Sequence, residues 1–154
     1  MTTAYTPGVI KQFRRTSWRF EQTFQTPLDD LQGFVATIVT AYGPLADATL
    51  TINQVVFDAD QLKNLVGQDA SSTLFQRDAS IFSTNPEEVP ALLVSAFSDW
   101  SDFLFVPRPK PFVIYADHDE WVTFYGNTKS NLNRIVLPLK SAGYKLITDW
   151  RRKL

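Results

Sequence analysis

The residue types most suited to chemistry occur together at Asp117-His118-Asp119-Glu120. His118 is the only histidine among 154 residues, and carboxylates stand on both sides of it. A histidine beside carboxylates could act as a general acid or base, or could bind a metal ion. A Ser–His–Asp arrangement would also have to use this histidine. A small enzyme or metal-binding protein centred on His118 is therefore one hypothesis for the chain.

The same four residues also suit an ordinary turn. Phe112–Ala116 and Trp121–Tyr125 flank them, and both are rich in β-branched and aromatic residues, which predicts a β-hairpin. Aspartate is common in turns. A metal site needs several convergent ligands, and no second histidine follows at helical spacing. We therefore expect an exposed polar turn, with no catalytic residue, no metal and no cofactor.

A loop of four residues at Asp117–Glu120 would pair Ala116 with Trp121 and Ile114 with Thr123. Because side chains alternate along a strand, each face of the hairpin then has its own set of residues. One face would carry Phe112, Ile114, Ala116, Trp121, Thr123 and Tyr125, and the other Val113, Tyr115, Val122 and Phe124. Both faces are largely apolar, so the second needs a cover from this chain, from a twin subunit or from a different protein.

A second group of acids lies near the expected end of a helix. Asp99 and Asp102 flank Trp100 there, where the helix dipole disfavours carboxylates. This placement indicates an acidic contact surface, and tryptophan is enriched at binding hot spots. The residues expected to bind a partner are Asp99, Trp100, Asp102, Asp117, Asp119, Glu120 and Trp121.

Composition excludes several classes of function. The chain has no cysteine, which excludes disulfides, thiolate zinc sites and cysteine nucleophiles. No phosphate loop, dinucleotide fingerprint or Gly-x-Ser-x-Gly elbow occurs. No apolar run approaches the roughly 18 residues that span a bilayer, and the first residues do not form a secretory signal. We expect a soluble, cytoplasmic protein without membrane contact.

Charge gives a further alternative. "KQFRRTSWRF", residues 11–20, interleaves arginines with aromatic residues, a pattern that suits single-stranded nucleic acid. The whole chain, however, has 15 basic and 16 acidic side chains and a formal net charge of −1. That balance provides no general attraction to nucleic acid. Nucleic-acid binding by this basic arm is thus disfavoured relative to protein binding.

Caps and periodicity predict one α+β domain over residues 1–154. Helices are expected near 27–42, 87–100 and 129–142, packed largely on one face of a mostly antiparallel sheet. Residues 1–12 are expected to form a flexible arm and 149–154 a basic tail. The expected core residues are Trp18, Phe20, Leu31, Ile38, Leu92, Phe97, Ile114 and Ile135. Residues 68–84 are polar and ambiguous, apart from a short strand expected at 80–82.

These features favour a non-enzymatic protein-binding domain. Twelve Phe, five Tyr and four Trp supply both buried area and residue types used in recognition. Inhibitors and the immunity proteins that neutralise bacterial toxins belong to this class. An acidic surface would attract a basic toxin quickly. A homodimer is a further alternative for covering the second hairpin face.

Overall fold

A single antiparallel sheet organises the protein. The structure, a computed structural model, describes residues 1–67 and 76–153, and the expected single domain includes residues 68–75 and 154 outside that part. In chain order the strands are β1 (Thr2–Tyr5), β2 (Phe20–Gln25), β3 (Asp47–Gln54), β4 (Ala79–Ser83), β5 (Asp102–Arg108), β6 (Phe112–Ala116), β7 (Trp121–Gly126) and β8 (Leu146–Ile147). Their order across the sheet is β1-β4-β3-β5-β6-β7-β2-β8, and every neighbouring pair is antiparallel. The α+β prediction is confirmed.

Five helices accompany the sheet in the described part of the chain, so the expectation of three main helices is wrong. They are α1 (Val9–Arg15), α2 (Leu31–Tyr42), α3 (Asp60–Val66), α4 (Val89–Ser98) and α5 (Lys129–Ser141). The expected arm at residues 1–12 instead contains β1 and the start of α1. Its short elements escape prediction because a seven-residue helix shows only two turns of periodicity.

The main core lies between one face of the sheet and helices α2 to α5. Its buried side chains include Phe34 and Ile38 from α2, Leu92 from α4 and Ile135 from α5. These side chains recur at helical spacing, as an amphipathic helix requires. Ile38, Leu92, Phe97, Ile114 and Ile135 are buried as expected, whereas Trp18, Phe20 and Leu31 are half-buried.

Helix α2 begins later than the sequence predicts. Asp30 caps it by accepting a hydrogen bond from the Gly33 N–H at 3.2 Å, so the helix begins at Leu31 and not near residue 27 as expected. Thr26 instead continues the strand pairing, because its N–H donates to the Glu120 carbonyl at 2.7 Å. The intervening residues therefore form a turn, and Leu28 is exposed there.

The opposite face of the sheet has its own smaller core beneath α1. Ile10 and Phe13 from α1 pack on Tyr115 and Tyr125, and the Phe13 and Tyr115 rings stack with centroids 5.7 Å apart. The Asp78 carboxylate holds the start of α1 by accepting hydrogen bonds from the N–H groups of Gly8 and Ile10, each at 3.0 Å. The second hairpin face is therefore covered by an element of this chain.

Stability should depend on the main core. We expect Ile38→Ala to lower the free energy of unfolding by about 2–5 kcal/mol, because it leaves a cavity where the side chain is fully buried. Urea denaturation measures this change. Leu137→Ala, on the exposed side of α5, is the matched control and should change stability by about 0.5 kcal/mol or less. Equal effects of the two substitutions would contradict this core assignment.

Candidate functional site

The hairpin loop that contains His118 is a three-residue loop. Asp117 and Trp121 face each other across it, since the Asp117 N–H donates to the Trp121 carbonyl at 3.0 Å. Glu120 has φ 71°, in the left-handed region. Such a residue at the end of a three-residue hairpin loop lets the chain reverse, although glycine is the usual choice there. The loop geometry therefore carries a small strain at Glu120.

This loop sets a register that differs by one residue from the expected one. Ile114 pairs with Phe124 rather than with Thr123. Because side chains alternate with a period of two, the shift exchanges the faces of every β7 residue relative to β6. The main core receives Phe112, Ile114, Ala116, Val122 and Phe124, and the smaller core receives Val113, Tyr115 and Tyr125. The expected face assignment for β7 is thus wrong.

The Asp117 carboxylate is the hub of the loop. Its Oδ1 accepts hydrogen bonds from the N–H groups of Asp119 at 2.8 Å and Trp121 at 3.2 Å. Its Oδ2 forms an ion pair with Arg152, which also donates to the Thr123 hydroxyl at 3.2 Å. The Arg152 side chain is only 7% exposed. The expected basic tail thus places one arginine inside the molecule.

The Arg152 guanidinium also lies over two aromatic rings. It is 4.6 Å from the centroid of Tyr115 and 5.2 Å from that of Trp150. A guanidinium over a ring face is attracted by the negative charge of that face. Arg152 therefore joins the tail to the hairpin by an ion pair, hydrogen bonds and ring contacts together.

His118 is held by Asp102 at the start of β5. Asp102 Oδ1 accepts from the His118 N–H and lies against ring Nδ1, both at 2.8 Å. The prediction of an exposed polar turn misses this bond, because the two residues are 16 positions apart. His118 Nε2 lies 3.7 Å from an Asp119 carboxylate oxygen. The hydrogen bond that the His118 ring makes to the Asp102 carboxylate raises the pKa of His118 above its ordinary value, and the charges of Asp102, Asp119 and Asp117 add to that effect.

Two of the expected partner-binding acids lie inside the protein. Asp99 is 6% exposed and Asp102 is 7% exposed. Asp99 caps α3 from outside that helix, accepting from the N–H groups of Gln61 at 3.0 Å and Leu62 at 2.9 Å. Burial raises the pKa of Asp99, and these hydrogen bonds oppose the rise. Its position at the end of α4 therefore has a structural reason that the sequence does not reveal.

Trp100 follows the end of α4 in an unusual conformation. Its φ is 55°, and its N–H donates to the Phe97 carbonyl at 3.2 Å. A residue in this position after a helix is commonly glycine, because a side chain there strains the backbone. Trp100 is half-buried and leaves part of its indole in contact with solvent.

Asp119, Glu120 and Trp121 lie at the end of the hairpin, where they are exposed or half-buried. The Asp119 side chain is 73% exposed, and Glu120 and Trp121 are half-buried. The Trp121 indole stacks on that of Trp150, with ring centroids 4.8 Å apart. We call Asp119, Glu120, Trp121 and Trp150 the hairpin tip. The structure thus brings carboxylates and two stacked indoles together, and Trp150 is a member that sequence reasoning missed.

A groove runs from the hairpin tip along the end of β2. It consists of two hollows of about 450 and 180 Å³, which share Gln25, Glu120 and Lys145 as lining residues. The remaining lining residues are Thr26, Pro27, Leu28, Asp29, Asp30, Asp119, Trp121, Ala142, Gly143, Tyr144 and Ile147. We call this the acidic groove, because four carboxylates and one lysine ammonium line it.

The other two sequence hypotheses also have a place in the structure. The basic arm becomes α1 and the segment after it, where Lys11, Arg14, Arg15 and Arg19 are exposed. Within residues 1–67 and 76–153, no three His, Cys, Asp or Glu side chains are grouped as metal ligands.

No protein-family model, curated protein or solved structure matches the chain. Among the described helices, none has the length and apolar character that crossing a membrane requires.

The tail arginines should differ sharply in their effect on stability. We expect Arg152→Met to lower the free energy of unfolding by about 3–5 kcal/mol, because it leaves the Asp117 carboxylate without its buried partner. Arg151, whose side chain is 81% exposed, is the neighbouring control. Arg151→Met should cost about 1 kcal/mol or less. Chemical denaturation of both variants checks this, and similar losses would contradict the role of Arg152.

His118 should make stability depend on pH. Its pKa is raised in the folded protein above the unfolded value of about 6.5, so folding favours the protonated ring. The resulting stability is fully present below about pH 6.5 and is lost as the pH rises through the folded pKa. The difference in unfolding free energy between wild type and His118→Asn should therefore shrink across that window in urea titrations. A difference that stays constant with pH would rule out the Asp102–His118 interaction.

Proposed function

We propose that the protein is a protein-binding domain that contacts its partner with the hairpin tip. The observation that supports this most is the combination of an exposed carboxylate, Asp119, with the stacked indoles of Trp121 and Trp150. Aromatic anchors beside charged groups are typical of binding hot spots and their rims. The half-buried indoles leave surface that a partner can cover.

The rigidity of the tip adds to this proposal. The Asp117 carboxylate holds the loop by accepting from two N–H groups and pairing with Arg152. Asp102, at the start of β5, holds His118. A surface that is already ordered loses little conformational entropy on binding. Asp102 therefore supports the site from inside, whereas Asp99 caps α3. The contact residues in the proposal are Trp100, Asp119, Glu120 and Trp121, with Trp150 added.

The narrower proposal is an inhibitor or immunity protein for a basic toxin. Its support is the charge of the contact region, since carboxylates of the hairpin tip continue into the acidic groove. Complementary charge accelerates association with a basic protein. An enzyme would need more from this site than the Asp102–His118 pair. Within the described residues, no serine, threonine or tyrosine hydroxyl hydrogen-bonds to His118 Nε2.

Affinity capture from the source cells tests the proposal. Immobilised wild type should retain a specific protein. Trp121→Ala should weaken the affinity for that protein by at least about 2 kcal/mol of binding free energy, or roughly 30-fold. Asp119→Asn should mainly slow association, with a smaller effect at high salt because exposed charges are screened. Binding rates with the purified partner measure both effects.

Glu87→Gln is the matched control for charge. Glu87 is exposed after β4, on the half of the sheet that lies away from β7 and β2. Its substitution should leave capture unchanged. Circular dichroism first establishes that Trp121→Ala still folds. Equal capture by the folded Trp121→Ala variant, or no specific capture by wild type, would reject the hairpin tip as the binding surface.

A further inference from the structure

We propose that the acidic groove receives an extended, arginine-bearing segment of the partner protein. This inference rests on the proposed function and names the chemistry of the partner that the groove would recognise. The groove continues from the hairpin tip through Glu120, so one partner can contact both regions.

The shape of the groove is fixed by backbone hydrogen bonds between three segments. The Thr26 N–H donates to the Glu120 carbonyl at 2.7 Å, and the Gln25 N–H donates to the Lys145 carbonyl at 2.9 Å. The Gln25 side chain donates to Glu120 Oε2 at 3.3 Å. The groove is therefore preformed, so binding of a segment does not cost the conformational entropy of ordering the residues that line it.

Charge selects a cation for the groove. Asp29, Asp30, Asp119 and Glu120 face a single lysine, Lys145, among the lining residues. The carboxyl end of α5 lies at this groove, because Ala142 and Gly143, which follow the helix, line it. The carbonyls at a helix carboxyl end carry partial negative charge. Asp30 caps the opposite, positive end of α2, which offsets part of its charge, so Asp29, Asp119 and Glu120 supply most of the attraction.

Tyr144 places an aromatic ring beside the carboxylates of the groove. Its hydroxyl donates to Asp30 Oδ2 at 2.8 Å, and its ring packs edge-on against Phe34 with centroids 5.1 Å apart. Desolvation, with the nearby charges of Asp30 and Asp29, raises the pKa of Tyr144 to about 12. An aromatic ring beside carboxylates is a combination that binds a guanidinium.

The wall of the groove also contains a buried hydroxyl that has no hydrogen-bond partner among the described residues. Thr26 is buried, and its Oγ1 has no hydrogen-bond partner within residues 1–67 and 76–153. A buried polar group without a partner costs free energy and marks a place where a further donor or acceptor is missing. Because this hydroxyl has almost no contact with solvent, a partner segment reaches it only through a local shift of the groove wall.

Arginine fits these features better than lysine. Its planar guanidinium has five N–H donors, which can reach two carboxylates at once and still lie on a ring. A lysine ammonium is a compact, strongly hydrated charge without a planar face. The groove provides both carboxylates and the Tyr144 ring within one set of lining residues.

The probe for this proposal is the peptide acetyl-Gly-Arg-Gly-Arg-Gly-amide, titrated into the ¹⁵N-labelled protein and followed by NMR. The expected result is a saturable shift of the Gly143, Tyr144 and Lys145 amides. The same peptide with citrulline, which keeps the shape and lacks the charge, should bind at least about tenfold more weakly, as expected when two exposed ion pairs are lost. Equal binding of the two peptides, or shifts located elsewhere, would overturn the proposal.

Substitutions in the protein test the same contacts. Asp29→Asn and Glu120→Gln should each weaken binding of the arginine peptide by about three- to fivefold, because each removes one exposed ion pair. Glu87→Gln, outside the groove, should have no effect. Spermidine tests for unselective cation attraction. If this triamine binds the groove as tightly as the peptide, the arginine proposal is wrong.

The two proposals can fail separately. Partner capture that depends on Trp121 but ignores Asp29→Asn and Glu120→Gln would overturn the groove proposal and leave the hairpin tip in place. Arginine-peptide binding in the groove without capture of any partner would confirm the groove chemistry and overturn the protein-binding function.

Discussion

The turn between β6 and β7 is the constraint on which both the cores and the proposed site depend. The Asp117 carboxylate binds two loop N–H groups and Arg152, and Glu120 takes the left-handed conformation. Together they close the loop in three residues and set the strand register. That register decides which aromatic side chains enter each core and leaves Trp121 at the surface beside Trp150.

The acids of the chain separate into two groups with different physical tasks. Asp78, Asp99 and Asp102 are buried and accept hydrogen bonds from N–H groups of distant segments, so each ties a helix or loop to another part of the fold. Asp29 and Asp119 are exposed and retain charge that a partner can meet. A carboxylate buried with several backbone donors is satisfied without a cation. The sequence alone does not distinguish the groups, since both consist of single aspartates near turns.

Sequence patterns predict the parts of the fold that depend on local signals. The helices near 87–100 and 129–142 and the two strands of the hairpin follow from spacing and residue type. The hairpin register could not be predicted in this way. The left-handed residue of the loop is Glu120, whereas a glycine at that position would have indicated a three-residue loop. The Asp102–His118 bond and the Trp121–Trp150 stack join residues far apart in sequence, which periodicity cannot detect.

The place of β2 in the sheet has a consequence for how the chain is made. The hydroxyls of Thr23 and Thr123 meet at 2.8 Å although the residues are 100 positions apart. At a synthesis rate of roughly 5–20 residues per second, the ribosome makes β7 about 5–20 s after β2, its neighbour in the sheet. Through that interval its apolar residues and unpaired backbone groups are open to other nascent chains. Strand pairing between such distant segments slows folding, and the unpaired strand edge is open to aggregation until β7 is made.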